Sequence, residues 1–281
     1  MSIEVKPDWN PGSHEVLLDQ RRVYDEMRER CPVAQSGPLG WSLFRHEDVS
    51  RVLLDHETFS SAVSAHLSVP NGMDPPLHTA YRRIIETYFS PARMAAFEPV
   101  CRKVAATVVA ETSTHGDVGL MADFARPFAV RVQCAFLGWP ATLHEPLIQW
   151  IDASGQATAA QDRPALAVLA RTFEGCIDDM LQTRIQRGAG PDDDLTAALM
   201  HETVDGRPLM HDEIASILRN WTAGEIGTIA AAAGIVGEFL ATHPMYRRNC
   251  AGNRRWFLPP SMRSCACTAR WWQTGVSPPG R

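Results

Sequence analysis

The feature that most constrains the fold is a glycine-rich stretch whose other residues favour one long helix. The apolar residues at its beginning have the i, i+3, i+4 and i+7 spacing of an amphipathic helix: Ile214, Ile217, Leu218 and Trp221. We predict a helix over residues 212–243. Four glycines lie within it: Gly224, Gly227, Gly234 and Gly237. Because glycine costs about 1 kcal/mol relative to alanine inside a helix, so many glycines indicate that something approaches the helix closely.

The spacing of these glycines removes side chains from one side of the helix. Gly224, Gly227 and Gly234 project within about 80° of one another at 100° per residue. Glu225 and Thr228, three residues apart, share a face beside this gap. Two interpretations remain open here: a binding site, or the closer helix–helix contact that small residues more often provide. A membrane span is not expected, because acidic residues interrupt the apolar run.

A second helix is predicted to begin at Asp74-Pro75-Pro76, where Asp74 can cap free N–H groups and proline suits the first turn. Its core stripe has helical spacing: Tyr81, Ile84, Ile85, Tyr88 and Phe89. His78 and Arg82 are four residues apart on one flank of that stripe. Together they can hold an anion such as a carboxylate. The alternative is a solvated basic edge with an Arg82–Glu86 ion pair.

Residues 73–94, which read MDPPLHTAYRRIIETYFSPARM, resemble the C-helix region of soluble bacterial cytochrome P450 enzymes, the haem-thiolate monooxygenases. The family motif is Asp-Pro-Pro-x-His-Thr-x-x-Arg-Arg followed by a Phe-[Ser/Thr]-Pro step. Residues 223–228, AGEIGT, are similar to the I-helix motif Ala-Gly-x-[Glu/Asp]-Thr. The resemblance extends over most of residues 10–244.

The resemblance implies a haem b cofactor and a role for six residues. His78 and Arg82 are expected to bind the haem propionates, and Ala223 and Gly224 to lie against the haem face. Glu225 and Thr228 are expected to deliver catalytic protons. The acid lies one position early and the hydroxyl one position late relative to the family motif, with Gly227 where the threonine normally stands.

The same resemblance implies monooxygenation. One atom of O2 would be inserted into a small organic substrate, with electrons from NAD(P)H supplied through a ferredoxin or a flavin reductase. The substrate itself is not readable, because the expected pocket loop from Ser60 to Gly72 has no recognisable specificity pattern.

Composition fits a globular protein, since 45% of the 281 residues are hydrophobic and 21% are charged. The net charge of −5 argues against nucleic acid as the main partner. An N-terminus without an apolar run predicts a cytoplasmic protein with no membrane anchor. The first four cysteines are isolated, so we expect small buried side chains rather than metal ligands: Cys31, Cys101, Cys134 and Cys176.

The expected fold is mainly α, with long helices and a small β-hairpin sheet, as in the amino-terminal two-thirds of the cytochrome P450 fold. Predicted helices cover residues 14–30, 46–59, 74–89, 92–113, 123–137, 141–154, 164–187 and 212–243. Short strands are expected over 33–36, 41–45 and near 204–208. Residues 1–244 are interpreted as a partial cytochrome P450 domain.

Residues 245–281 have a different character, with seven arginines and no acidic residue. A nucleic-acid or membrane tail is one interpretation. A metal site is disfavoured, because Cys250, Cys265 and Cys267 lack Cys-x-x-Cys spacing. A slip of the reading frame accounts for more of these features. If the codons after Pro244 are read one base earlier, permitted codon choices can encode Glu-Ile-Leu-Arg, which matches the family's Glu-x-x-Arg motif. We therefore expect an aberrant, disordered tail.

The family's iron ligand is a cysteine in a Phe-x-x-Gly-x-x-x-Cys-x-Gly loop, and this sequence contains no such segment. Thiolate ligation favours O–O cleavage, so the chain is expected to be a truncated, inactive fragment. We also expect incomplete cover over the apolar faces near 81–89 and 214–221. Two other classes stay open: a helical ligand-binding module without redox chemistry, and an interaction protein that uses the basic tail.

Overall fold

The computed structural model describes residues 8–37, 40–64, 66–112 and 116–252. Helices dominate this part of the chain, and each of its two antiparallel sheets has two strands, so the expected mainly α fold with a small hairpin sheet is confirmed. The chain forms two compact units. One comprises the residues up to Val63 together with Met73–Pro75, and the other comprises Ser64–Gly72 and the residues from Pro76 onward.

The first unit contains three helices and one hairpin: α1 (His14–Leu18), α2 (Gln20–Arg30), β1 (Val33–Ser36), β2 (Gly40–Leu43) and α3 (His46–Leu54). Asp19 divides the predicted first helix in two, because its carboxylate accepts the Arg22 amide and caps α2. The hairpin register pairs Val33 with Leu43. Val16, Met27 and their neighbours form a small core beneath it.

The second unit begins its helices with α4 (Leu77–Tyr88) and α5 (Pro91–Thr112). A π-helical segment, Leu120–Ala125, leads into α6 (Arg126–Leu137), and a 3-10 turn, Ala141–Leu143, leads into α7 (His144–Ala159). The remaining elements are α8 (Arg163–Gln186), α9 (Leu195–Met200), β3 (Thr203–Val204), β4 (Arg207–Pro208), α10 (His211–Arg219), a second π-helical segment (Asn220–Gly224), α11 (Glu225–Thr242) and α12 (Pro244–Gly252).

The predicted long helix is present as α10, the second π-helical segment and α11, which run without interruption from His211 to Thr242. Its apolar stripe is buried as expected, with Leu218 fully enclosed. Trp221 packs edge-on against Phe89 with ring centroids 5.3 Å apart, and it also contacts Tyr88 and Phe136. Aromatic contacts therefore join the long helix to the end of α4 and to α6.

Two details of α4 differ from expectation. Asp74 does not cap the helix: α4 begins at Leu77, and its N-cap, Pro76, makes no side-chain capping bond. The Asp74 carboxylate instead accepts hydrogen bonds from the Ser61 amide at 2.8 Å and the Ser60 hydroxyl at 2.5 Å. The predicted exposure of the α4 stripe is also wrong, because Tyr81, Ile85 and Tyr88 are buried.

The apolar residues that remain exposed lie elsewhere. The face of the long helix near 214–221 is buried, whereas Ile235, later on α11, is 58% exposed. In the first unit, Leu54 is 81% exposed at the end of α3. The apolar faces of α4 and α10 are therefore buried, and exposed apolar side chains occur on α11 and α3 instead.

The run from His211 to Thr242 is long enough, and contains an 18-residue stretch apolar enough, to cross a membrane by length and composition alone. The same property is shared by the central helix of many water-soluble proteins. The next helix, α12, begins at Pro244 and ends at Gly252. The beginning of the segment predicted to be disordered is therefore helical, and residues 253–281 lie outside the described residues.

Candidate functional site

The glycines of the long helix serve two different purposes. A Cβ atom added at Gly224 or Gly227 would meet nothing within 4 Å, so this part of the helix faces open space. A Cβ atom at Gly237 would lie 2.7 Å from Leu120 Cδ2, and one at Gly234 would collide with Met121 Sδ. The helix–helix contact of the second interpretation is therefore present at Gly234 and Gly237, about two and three turns beyond the open space at Gly227.

Ala223, Gly224, Gly227 and Thr228 are all exposed, and we call these four residues the open face. Each has a small side chain or none, so a flat group can approach the helix backbone closely. The absence of large side chains is local, because the buried residues Trp221 and Ile226 on either side point into the core. The open face is therefore a shallow shelf flanked by the buried side chains of Trp221 and Ile226.

Glu225 lies beside the open face and is half-buried. Its desolvation raises the pKa of this carboxyl above the ordinary value of 4.5. Within the described part of the chain, its carboxylate makes no hydrogen bond. A carboxyl with a raised pKa and unused hydrogen-bonding capacity is suited to accept and release protons at a higher pH than an ordinary glutamate.

The Thr228 hydroxyl, predicted to work with Glu225, donates to the Gly224 carbonyl at 3.1 Å. This bond points the hydroxyl back along the open face and leaves its oxygen able to accept a further hydrogen bond. The acid and the hydroxyl do not bond to each other in this structure. They lie on the same stretch of helix, and a bridging water or ligand atom is needed to connect them.

The helix is locally widened just before Glu225, in the π-helical segment Asn220–Gly224. In a regular α-helix the Glu225 amide would donate to the Trp221 carbonyl, but here it donates to the Thr222 carbonyl. The buried side chain of Gln133, on α6, donates its amide hydrogen to the Trp221 carbonyl. Gln133 was missed in the sequence, where the signal is a single amide among the mostly apolar residues 132–137.

His78 and Arg82 lie four residues apart on α4, where both are half-buried. Arg82 Nε donates to Glu86 Oε1 at 2.9 Å, and the arginine side chain is 20% exposed. The ion pair of the alternative interpretation is therefore formed. It uses Nε, and the guanidinium carries further donors on its two terminal nitrogens.

A buried polar network fixes α4 to the long helix. Tyr81, next to Arg82 in sequence, donates its hydroxyl hydrogen to Glu213 on α10. Arg207 donates to both oxygens of Glu213, at 2.7 and 2.9 Å, and these bonds lower the pKa of that carboxyl to about 2. Burial raises the pKa of Tyr81. The helix that carries His78 and Arg82 is thus tied to the helix that carries the open face.

The loop predicted to cover the pocket is also anchored to the long helix, through its residues 66–72. Ser216 Oγ accepts from the Val69 amide and donates to the Leu67 carbonyl, both at 2.9 Å. Asn220 donates to the Val69 carbonyl at 2.9 Å, and Arg219 donates to the Leu67 carbonyl at 3.1 Å. The loop backbone is therefore fixed along one turn of helix that ends where the π-helical segment begins.

Burial disfavours the thiolate form of three cysteines on the helices α5, α6 and α8. Burial raises the pKa of Cys134 to about 12 and also raises that of Cys101 and Cys176. No group of three histidine, cysteine or acidic side chains that could hold a metal ion occurs among the described residues. The described residues of the long helix present an open face with an acid and a hydroxyl.

No protein-family model matches the chain. Among curated proteins, the erythromycin C-12 hydroxylase of Saccharopolyspora erythraea is 34% identical over 246 residues, which is 82% of this chain and 60% of the relative. A probable cytochrome P450 127A1 of Sinorhizobium fredii is 31% identical over 218 residues, 74% of this chain and 50% of the relative. The chain thus spans about half to three-fifths of the length of these two relatives.

Solved structures give the same result. A mutant of the cytochrome P450 EryK in complex with erythromycin B superposes with a TM-score of 0.68 at 28% identity, over 85% of this chain and 62% of that one. The histidine-tagged, open EryK of S. erythraea gives a TM-score of 0.68 at 27% identity, over 90% and 64%. Both the sequence relatives and the fold agree with the motifs on α4 and on the long helix. The chain belongs to the bacterial cytochrome P450 family.

Proposed function

We propose that the protein to which this chain corresponds is a haem-dependent monooxygenase that inserts one atom of O2 into a small organic substrate. Relatives named as an erythromycin C-12 hydroxylase and a mycinamicin IV hydroxylase/epoxidase support this reaction class. Because the chain spans only part of their length, the activity is proposed for the whole protein. A cytoplasmic location and a ferredoxin or flavin reductase as electron donor are proposed with it.

The observation that carries this proposal is the open face. A planar macrocycle needs a strip of helix without side chains, and Gly224 and Gly227 provide open space for such a group. Ala223 adds only a methyl group. The described residues therefore fit one side of a haem, which would supply the oxygen-activating redox chemistry when bound.

On this shelf, Glu225 and Thr228 are proposed to move protons toward the reacting oxygen. The raised pKa of Glu225 keeps a proton available closer to neutral pH than an ordinary glutamate would. The Thr228 hydroxyl, oriented by the Gly224 carbonyl, can accept a hydrogen bond and relay a proton from a bridging water. Both groups act as positioned donors and acceptors, and neither needs to bond covalently to the substrate.

His78 and Arg82 are proposed to bind the haem propionates. The Arg82 guanidinium, which pairs with Glu86 through Nε, supplies positive charge for a carboxylate, and a charge-assisted bond of this kind is worth about 1.5–3 kcal/mol. The Tyr81–Glu213 bond supports this assignment, since it holds α4 against the helix that bears the open face.

For the 281-residue chain itself we propose a fragment without monooxygenase activity. Burial raises the thiol pKa of Cys101, Cys134 and Cys176, and the sequence contains no Phe-x-x-Gly-x-x-x-Cys-x-Gly segment. Without a thiolate ligand, O–O cleavage is not favoured. DNA sequencing across the Pro244 and Met245 codons tests the frame-slip explanation, because the alternative frame is then expected to stay open and to encode the cysteine loop.

The decisive experiment compares the 281-residue chain with a protein from the gene repaired at Pro244. The repaired protein is expected to bind haem and to show the ferrous carbon-monoxide band that names the family, whereas the chain is expected to lack it. In the repaired protein, Arg82→Ala is expected to weaken haem retention about tenfold or more, and Arg83→Ala, an exposed neighbour on α4, is expected to leave it unchanged. A repaired protein that binds apolar dyes but no haem would refute the proposal and favour a ligand-binding module.

A further inference from the structure

The second π-helical segment leaves one carbonyl of the long helix without its regular partner. The Glu225 amide bonds to the Thr222 carbonyl rather than to that of Trp221. This bond to the residue three positions back is of the tighter 3-10 type and closes the wider π-helical turn Asn220–Gly224. Irregular turns of this kind are short and tend to occur where function requires them. The segment persists only if surrounding groups stabilise the displaced backbone.

Three contacts in the described structure hold the segment. Gln133 Nε2 donates to the Trp221 carbonyl in a buried environment, the Trp221 ring packs between α4 and α6, and Asn220 holds the Val69 carbonyl at 2.9 Å. Of these three contacts, the Gln133 bond is the one that reaches the Trp221 carbonyl, which the Glu225 amide does not use. Its buried amide supplies the donor at the point where the regular ladder is broken.

We propose that Gln133 is a positioning residue for the Glu225–Thr228 pair. By bonding to the Trp221 carbonyl, Gln133 keeps the segment Asn220–Gly224 π-helical, and the width of that segment determines the direction in which Glu225 and Thr228 point from the helix. Gln133 contacts neither the proposed cofactor nor a substrate. The role of Glu225 and Thr228 in catalysis rests on the proposed function. The effect of Gln133 on the π-helical segment does not, and it can be measured on the 281-residue chain.

The test uses amide hydrogen exchange on the 281-residue chain, which requires no haem. Gln133→Met keeps an unbranched side chain of similar length and removes the donor. Exchange at residues 221–228 is expected to accelerate about tenfold, with little change in α8 or in the first unit. The matched control is Val132→Ala, which removes buried methyl groups from the same helix but no donor, and it is expected not to concentrate its effect at residues 221–228.

A second variant keeps the inference testable if Gln133→Met does not fold. Gln133→Glu presents a carboxylate that cannot donate at neutral pH but can donate when protonated. The ratio of its exchange rate to that of the unmodified chain at residues 221–228 is expected to fall toward one as the pH is lowered from 7 to 4. A ratio independent of pH, or equal acceleration in Val132→Ala, would overturn the inference. Neither outcome bears on haem binding, which the repaired protein tests separately.

Discussion

The Ser216 hydroxyl accepts a hydrogen bond from the Val69 amide at 2.9 Å, across 147 residues of sequence. Both groups are fully buried, and the same hydroxyl donates to Leu67. One small side chain thus satisfies a buried donor and an acceptor of the loop that precedes α4. Serine suits this position because its hydroxyl both donates and accepts.

Replacing Ser216 with alanine is expected to free this loop. The buried Val69 amide would lose its acceptor, at a cost of about 1–3 kcal/mol, so limited proteolysis within residues 61–72 is expected to accelerate. Ser154→Ala is the matched control, because the Ser154 hydroxyl on α7 has no hydrogen-bond partner in the described structure. Equal proteolysis of both variants would show that Ser216 does not hold the loop.

Replacing Glu225 with glutamine is expected to stabilise the chain at neutral pH and not at low pH. Desolvation raises the pKa of Glu225 above its unfolded value of 4.5, so ionisation disfavours the folded state as the pH rises through the folded pKa. Below pH 4.5 both states carry the protonated acid and the difference is expected to vanish. Chemical denaturation at pH 4 and pH 8 measures it, with the exposed Glu238→Gln on the same helix as the control. A benefit that is equal at both pH values would contradict the assignment.

Glu213 is expected to show the opposite pH dependence. Arg207 lowers the pKa of this carboxyl from 4.5 to about 2, so the pair contributes stability above pH 4.5 that is lost as the pH falls toward 2. Arg207→Gln is expected to unfold in acid at a higher pH than the unmodified chain, as followed by tryptophan fluorescence. An unchanged acid-unfolding midpoint would mean that the ion pair does not stabilise the fold.

Gly138, at the end of α6, is expected to be intolerant of a side chain. Its φ of +72° is left-handed, and an added Cβ would collide with the Asp194 side chain, which Arg184 and Arg187 hold by ion pairs. Gly138→Ala is expected to destabilise by about 3 kcal/mol or more. Gly188→Ala, at φ +63° with open space around it, is expected to cost about 1–2 kcal/mol. Equal losses in thermal or denaturant unfolding would exclude the steric explanation.

The open face predicts a contrast between two exposed glycines in helical segments. In the protein from the repaired gene, Gly224→Phe is expected to abolish haem retention, because its ring would occupy the space that the macrocycle needs. Gly175→Phe, on α8 with nothing within 4 Å of an added Cβ, is expected to retain haem. Absorbance of the purified proteins reports the outcome, and haem retained in Gly224→Phe would place the cofactor elsewhere.

Much of this architecture could be predicted from the sequence, because long periodic stripes determine helices. The stripes around Tyr81 and Leu218 gave α4 and the long helix to within a few residues. The short helix α9 was missed, since six residues with one Asp194 cap carry too little periodicity. Residues 55–59 do not extend α3, which ends at Leu54.

The sequence predicted which residues form the candidate site better than it predicted how those residues are arranged in space. Small residues on a helix gave the open face, but sequence alone did not distinguish the open Gly224 from the packed Gly234. That distinction depends on where Met121 lies, which only tertiary structure determines. Gln133 was missed for the same reason, because its partner is a main-chain carbonyl 88 residues away.

The π-helical segment Asn220–Gly224 also sets the direction, around the helix axis, in which the side chains of α11 project. Residues spaced by four along the long helix are buried from α10 into α11: Ile214, Leu218, Thr222, Ile226, Ala230 and Gly234. In a uniform α-helix each such step would drift by about 40°, so the stripe would wind around to the far side. The wide turn offsets part of that drift. Deleting one residue between Trp221 and Ile226 would rotate the remainder of α11 by about 100° and carry Gly227 away from the open side, so the number of residues in this turn is constrained as strictly as their identity.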